Sequence, residues 1–282
     1  MIKLSLVFAF VFPVLLSALS MAESILDVDA MNGQWRQGGL VWGYVEPGTQ
    51  LTVDGVAVSQ AEDGLFVFGF GRDASAEAEL TLWRNGQKVA SAVVEVAPQT
   101  YRIQRVEGVP QRTVTPSEED MARIRRDAAL VSKARANSIS EALFIEPFIW
   151  PTQGPITGVF GSQRVYNGVP GRPHYGVDVG VPKGTAVLAP ASGVVTLAED
   201  DLFYSGGTII IDHGMGVFSS MLHLSKVDVV VGQTLTQGEK IGEVGATGRA
   251  TGPHLDWRMN WRKTRIDPFL IVGPMPIQQP VR

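Results

Sequence analysis

The sequence predicts a mainly β protein: a small N-terminal antiparallel β-sandwich, a connecting helix and a C-terminal antiparallel β domain. Three observations carry this. Between Trp35 and about Val96, short β runs (GGLVWGYV, LTVDGVAVS, GLFVFGF, AELTLWRNGQKVASAVVEV) are broken by turn residues. Asp54-Gly55 and Asn85-Gly86 stand between alternating flanks, a strong hairpin signal because both central turn positions favour positive φ. Beyond residue 146 the composition shifts to Gly, Val and Ile in many short runs without helical periodicity, as a β-barrel or sandwich requires.

Taken in order, residues 1–22 read as a secretory signal peptide. Lys3 precedes the apolar run Leu4 to Leu16, and Ser20-Met21-Ala22 fits a small-residue cleavage site. Pro13 interrupts the run, which is shorter than the roughly 20 residues of a spanning helix. After cleavage no stable membrane span is expected, and the destination is the periplasm or the exterior. The chain has no cysteine, so stability in that oxidising compartment must come from packing, helped by metal.

Residues 31–98 form the sandwich. It has no histidine, and Trp35, Trp42 and Trp83 are expected in its core. A linker, 99–145, contains a helix at about 115–136. Thr115 can cap it, Pro116 suits the first turn, and Glu118 completes a T-x-x-E box. Met121, Ile124, Ala128 and Val131 make its packing stripe, with Arg123, Arg126 and Asp127 towards solvent. The second β module spans 146–272, and 273–282 is a loose tail. A formal net charge of -4 excludes the basic excess of a nucleic-acid partner.

All four histidines, His174, His213, His223 and His254, fall in the second module. His174 and Asp178 make H-x-x-x-D, and imidazole and carboxylate are both good zinc donors. His254 and Asp256 share a face if 252-GPHLDWRMN-260 is a strand. With His223 these offer five nitrogen or oxygen groups, enough for three metal ligands and two proton-transfer residues. His213, in 212-DHG-214, is expected at a turn or rim. The bland reading of His223 and His254 is a pair of buried, hydrogen-bonded core histidines.

The ordered set 158-GVFGSQR-164, 174-HYGVD-178, GTAVLAPASGVV, 221-MLHLS-225 and 252-GPHLD-256 resembles the lysostaphin-type (LytM-domain) zinc metallopeptidases, a secreted peptidoglycan endopeptidase family. The resemblance covers about residues 146 to 272. It implies a LytM-type catalytic domain, with His174, Asp178 and Asp256 as metal ligands and His223 and His254 as the catalytic pair. The cofactor it implies is Zn2+. Arg164 is a candidate for substrate binding.

The implied activity is hydrolysis of peptide cross-links in bacterial peptidoglycan. The alternative is a catalytically silent domain that binds the wall or regulates a partner hydrolase. The third ligand in this family is histidine, and here it is Asp256. A His-Asp-Asp set carries one more negative charge than His-Asp-His, which should hold the cation but lower its Lewis acidity. Its harder oxygen donors also admit another divalent cation, such as manganese.

Overall fold

The computed structural model describes residues 26–106, 117–166 and 169–276. The expected signal peptide and the Thr115-Pro116 helix start lie outside these residues, as do positions 277–282 of the tail.

The N-terminal part is built from two four-stranded antiparallel sheets. The main strands are β1 (Leu40–Tyr44), β2 (Thr49–Val53), β3 (Leu65–Gly69), β4 (Glu77–Arg84) and β5 (Gln87–Glu95). One sheet pairs β1 with β3 and the other runs β2, β4, β5. At both expected hairpins the left-handed backbone is present, with φ of 50° at Asp54 and Asn85 and 75° and 76° at the following glycines. That geometry matches the twist of the flanking strands. Leu51, Phe66, Phe68 and Leu80 are buried between the sheets. Trp35 packs edge-on to Phe68 at 5.9 Å, and the Trp83 indole donates to Thr52 Oγ1.

The connecting helix is α1 (Glu118–Ala134), capped by Ser117, whose hydroxyl accepts from the Asp120 N–H while Asp120 accepts from the Ser117 N–H. The box is therefore S-x-x-D, two residues later than the expected T-x-x-E. The docking face also differs from the expected apolar stripe. Met121 and Ala128 are exposed. Arg123 instead bonds the Asp201 carbonyl and carboxylate, and Asp127 accepts from the Phe203 N–H. The backbone at 201–203 offers groups that need partners, and a charged pair at i, i+4 supplies both a donor and an acceptor. An apolar cluster joins Val131 and Ala134 to Leu197, Leu202, Ile210 and Phe218.

The C-terminal part is a large antiparallel sheet. Its central order is β6 (Val177–Val179), β11 (Leu255–Trp261), β9 (Val217–Val227), β8 (Gly206–Asp212) and β7 (Gly193–Leu202), with β10 (Lys240–Val244) also paired to β9. On β11 the residues Leu255, Trp257, Met259 and Trp261 are buried in the core, and the alternate residues face the other way. β12 (Thr264–Ile266) pairs with β11 and meets the N-terminal sheets: Gly69 lies so close to Ile266 that a Cβ there would stand 2.8 Å from its Cγ2. The core is consequently continuous from Leu40 to Ile266. A short helix, α2 (Pro268–Val272), follows, with Asp267 as cap and Pro268 in its first turn; the D-P dipeptide is its sequence signature. Among the described helices none is long and apolar enough to cross a membrane.

Candidate metal centre

Strand register assembles the site. Asp178 on β6 and Asp256 on β11 are direct cross-strand partners, and Asp256 is opposed on its other side by Leu222 of β9, next to His223. His174 lies just before β6, where its backbone exchanges bonds with Ser162 and Gly161 at 2.8 and 2.7 Å. One ligand atom from each of His174, Asp178 and Asp256 lies within 4.8 Å of the others.

Two of these atoms point at a common space. His174 Nε2 and Asp178 Oδ1 are 3.2 Å apart, buried, and neither has a hydrogen-bond partner of good geometry. A buried polar atom left unbonded is costly, so this pair is arranged for something else. Glycine clears the space around them. A Cβ on Gly158 would stand 2.2 Å from Asp178 Oδ2. Burial works against a charged His174 ring, but the Asp178 carboxylate at 3.2 Å and the nearby Asp256 charge outweigh it and raise the imidazole's pKa.

Asp256 has a different environment. Arg258, two residues along β11 and therefore on the same face, donates through Nε to both carboxylate oxygens at 3.0 Å and through Nη2 to Oδ2 at 2.5 Å. Burial opposes the charged carboxylate, yet Arg258 overcomes it and holds Asp256 below the usual carboxylate range. The expected surplus negative charge is thus cancelled locally. A carboxylate has about four lone-pair sites, so Asp256 still fits as the third ligand and second oxygen donor beside the His174 imidazole and the Asp178 carboxylate, a donor set suited to zinc.

His223 and His254 lie beside this group with ring centroids 4.8 Å apart. His223 Nε2 is 3.9 Å from Asp256 Oδ2, and His254 Nε2 is 4.0 Å from Asp178 Oδ1. Each ring is fixed by its other nitrogen: His223 Nδ1 bonds the Thr247 carbonyl and His254 Nδ1 the Gly252 carbonyl, both at 2.8 Å. A carbonyl only accepts, so Nδ1 carries the proton and Nε2 of the neutral ring is left as an acceptor facing the acids. Burial lowers the His223 pKa and favours that neutral ring.

The position of His223 has a backbone cause. Pairing of β8 with β9 shifts between Ile209–Met221 and Gly207–Leu224, and His223 takes φ of 65°. This bulge re-aims a side chain that simple alternation would misplace. Thr247 secures it, with Oγ1 donating to the Leu224 carbonyl and accepting from the Gly207 N–H.

The remaining candidates fall elsewhere. His213 is fully buried rather than at a rim; its nitrogens bond the Ser192 carbonyl and Ser219 Oγ at 2.8 and 2.9 Å. Arg164 belongs to the strand Gln163–Tyr166, but its side chain lies outside the described residues. A hollow of about 670 Å³ between the N-terminal sheets and β12 touches Tyr175 and Arg265 but none of the metal-group side chains. We assign the chemistry to the acid-histidine group, because no histidine lines that hollow. Arg258, Thr247 and Gly158 had not been singled out from the sequence. Only Arg258 carried a signal, its i+2 position from Asp256 on a strand.

Residues 172–268 match Peptidase family M23. The peptidoglycan DD-endopeptidase ShyA of Vibrio cholerae is 37% identical over 108 residues, 38% of this chain and 25% of that protein. The cell division protein DipM of Caulobacter vibrioides is 32% identical over 127 residues, 45% of this chain and 20% of that protein. These matches span a quarter or less of the relatives' length. A solved structure from Pseudomonas aeruginosa described as a peptidase M23 superposes with a TM-score of 0.65 at 28% identity, covering 85% of this chain and 96% of that one. With the ordered motifs and their antiparallel framework, these matches identify a Peptidase M23 domain of LytM type in this chain.

Proposed function

We propose that the chain is a metal-dependent endopeptidase that hydrolyses peptide cross-links of bacterial peptidoglycan, working in the periplasm or outside the cell after removal of residues 1–22. His174, Asp178 and Asp256 hold the metal, zinc in the first instance. The observation that carries this reading is the convergence of the unbonded His174 Nε2 and Asp178 Oδ1 beside two histidines whose Nε2 atoms are also open. The peptidoglycan substrate is supported by the names of relatives such as ShyA and the DD-carboxypeptidase/endopeptidase Mpg of Neisseria meningitidis, 38% identical over 105 residues.

A bound zinc ion supplies Lewis acidity towards the scissile carbonyl and the attacking water. The chain's own residues supply the rest. His223, neutral and held through Nδ1, accepts a proton at Nε2 as attack proceeds. His254, fixed in the same way, donates towards the oxyanion or the leaving amine once protonated. The 31–98 sandwich packs on the β12 edge of the 146–272 module and stiffens it.

One observation favours the alternative, a silent wall-binding or regulatory domain: the Arg258 guanidinium occupies Asp256. Metal analysis of the purified chain, run beside peptide release from cross-linked peptidoglycan, separates the two. The enzyme reading expects stoichiometric zinc and released peptides. A protein that takes up neither zinc nor manganese and releases nothing would establish the silent domain.

A further inference from the structure

We propose that Asp256 and Arg258 are a single functional unit, in which the guanidinium fixes and neutralises the carboxylate so that a His-Asp-Asp set presents the net charge of a His-Asp-His set. The proposal rests on the reading of His174, Asp178 and Asp256 as metal ligands. Arg258 is a positioning residue in it, acting on the metal through Asp256.

The charge arithmetic follows from the contacts. Neutral His174, Asp178, Asp256 and Arg258 sum to one negative charge, as one carboxylate between two neutral imidazoles would. The pairing is built rather than incidental. Asp256 is buried, with 2% of its surface exposed, so no water replaces the guanidinium's three contacts. Two carboxylates placed directly opposite on adjacent strands, as Asp178 and Asp256 are, repel unless a cation stands by.

The neighbouring strand is carved to admit the pair. A Cβ on Gly176 would stand 2.5 Å from Asp256 Oδ1 and 2.6 Å from Arg258 Cγ. Any other residue in the middle of H-Y-G-V-D would displace the unit. Gly176 therefore serves both partners at once, which is expected if they function together.

The surrounding charges make the dependence mutual. Arg258 pairs across the ladder with Ser220, whose hydroxyl is bonded by Arg135 from the end of α1. Arg265 on β12 pairs with Asn260, on the same face of β11. Burial and the other guanidiniums push Arg135 down to about 9, and burial and Arg258 lower Arg265. Removing Asp256 alone would leave the Arg258 guanidinium without the carboxylate that it bonds through three contacts. A histidine at 256 thus requires the loss of Arg258 as well.

The test is a double-mutant cycle on zinc affinity, measured by competition with a chromophoric chelator on the purified full chain. Asp256→His should bind zinc at least about tenfold more weakly than wild type, the effect of a unit charge a few ångströms from a cation in a partly solvated site. Arg258→Gln, which keeps an amide donor but no charge, should bind about tenfold more tightly while the zinc-free protein melts at lower temperature. The double variant should return to within about threefold of wild type if the two effects cancel. A merely structural Arg258 predicts instead that Arg258→Gln weakens zinc or leaves it unchanged, and that outcome, or a double variant that binds zinc no more tightly than Asp256→His, overturns the proposal. If Arg258→Gln does not fold, Asp256→His against the double variant is decisive: removal of Arg258 must tighten zinc there too. If wild type binds zinc and removing Arg258 does not tighten it, only the charge unit falls. If wild type binds no zinc, the metal reading falls and takes the unit with it.

Discussion

The large sheet buries histidine in two places, and their chemistry is opposite. His213, in the turn between β8 and β9, has both ring nitrogens bonded, to the Ser192 carbonyl and Ser219 Oγ, and packs edge-on to Phe148 at 5.0 Å. On the other flank of β9, His174, His223 and His254 crowd around Asp178 and Asp256 with their Nε2 atoms unbonded or anchored by nothing nearer than 3.2 Å. A saturated imidazole is part of the scaffold. An imidazole fixed at one nitrogen and open at the other is available for metal or proton, because its remaining capacity is held in place without being used.

That contrast breaks first at the ligands. His174→Ala and Asp178→Ala should each abolish stoichiometric zinc binding and peptide release, as measured by metal analysis and by chromatography of released peptides. Retention of zinc in either variant would remove the distinction between open and saturated rings. His223→Ala is expected to be nearly as severe for turnover, a loss on the order of 10²- to 10⁴-fold for a proton-transfer group, with zinc retained. A variant that loses zinc in proportion to activity would make His223 a ligand instead.

His213 supplies the converse test. Burial pushes its pKa down to about 4, against the bonds to Ser192 and the charge of Glu146. An unfolded histidine takes up its proton near roughly 6.5, while the folded one resists until about 4. The folded state therefore binds fewer protons in that window, and its stability, full above the unfolded value, falls as the pH drops towards 4. The loss is up to about 3 kcal/mol. Urea unfolding at pH 7 and pH 4.5 should show most of this difference in wild type and little of it in His213→Gln. Equal pH dependence in the two proteins would mean that the ring is not the buried neutral group that its bonds describe.

What could be read from the sequence divides along the same physical line. The hairpins at Asp54-Gly55 and Asn85-Gly86 were legible because turn chemistry is local, and the grouping of His174, Asp178 and Asp256 was legible only through the family resemblance. The aim of His223 was not. It depends on a bulge that comes from the register of β8 against β9, a property of two strands and not of one. The role of Arg258 was half legible: alternation places it beside Asp256, but only the depth of the site shows that nothing else can neutralise that carboxylate. The docking face of α1 was misread because helical spacing identifies apolar stripes, whereas Arg123 and Asp127 are recruited by unpaired backbone at 201–203.

The smallest effect belongs far from the histidines, where the backbone rather than a ring holds an uncommon state. Asn85 sits at φ of 50° in the turn joining β4 to β5, a region that asparagine tolerates and most residues enter at a cost of roughly 1–2 kcal/mol. Asn85→Ala should lower stability by about 1 kcal/mol in chemical denaturation. Zinc affinity and turnover should be unchanged, because the turn touches neither β6 nor β11. Asn85→Gly should restore stability, since glycine adopts the same φ freely. His223 holds a comparable φ of 65° inside the proposed site, and there His223→Gly relieves the same strain but removes the imidazole. Stability kept while turnover is lost in that variant would show that the left-handed residue at 223 is retained for its side chain and not for its backbone.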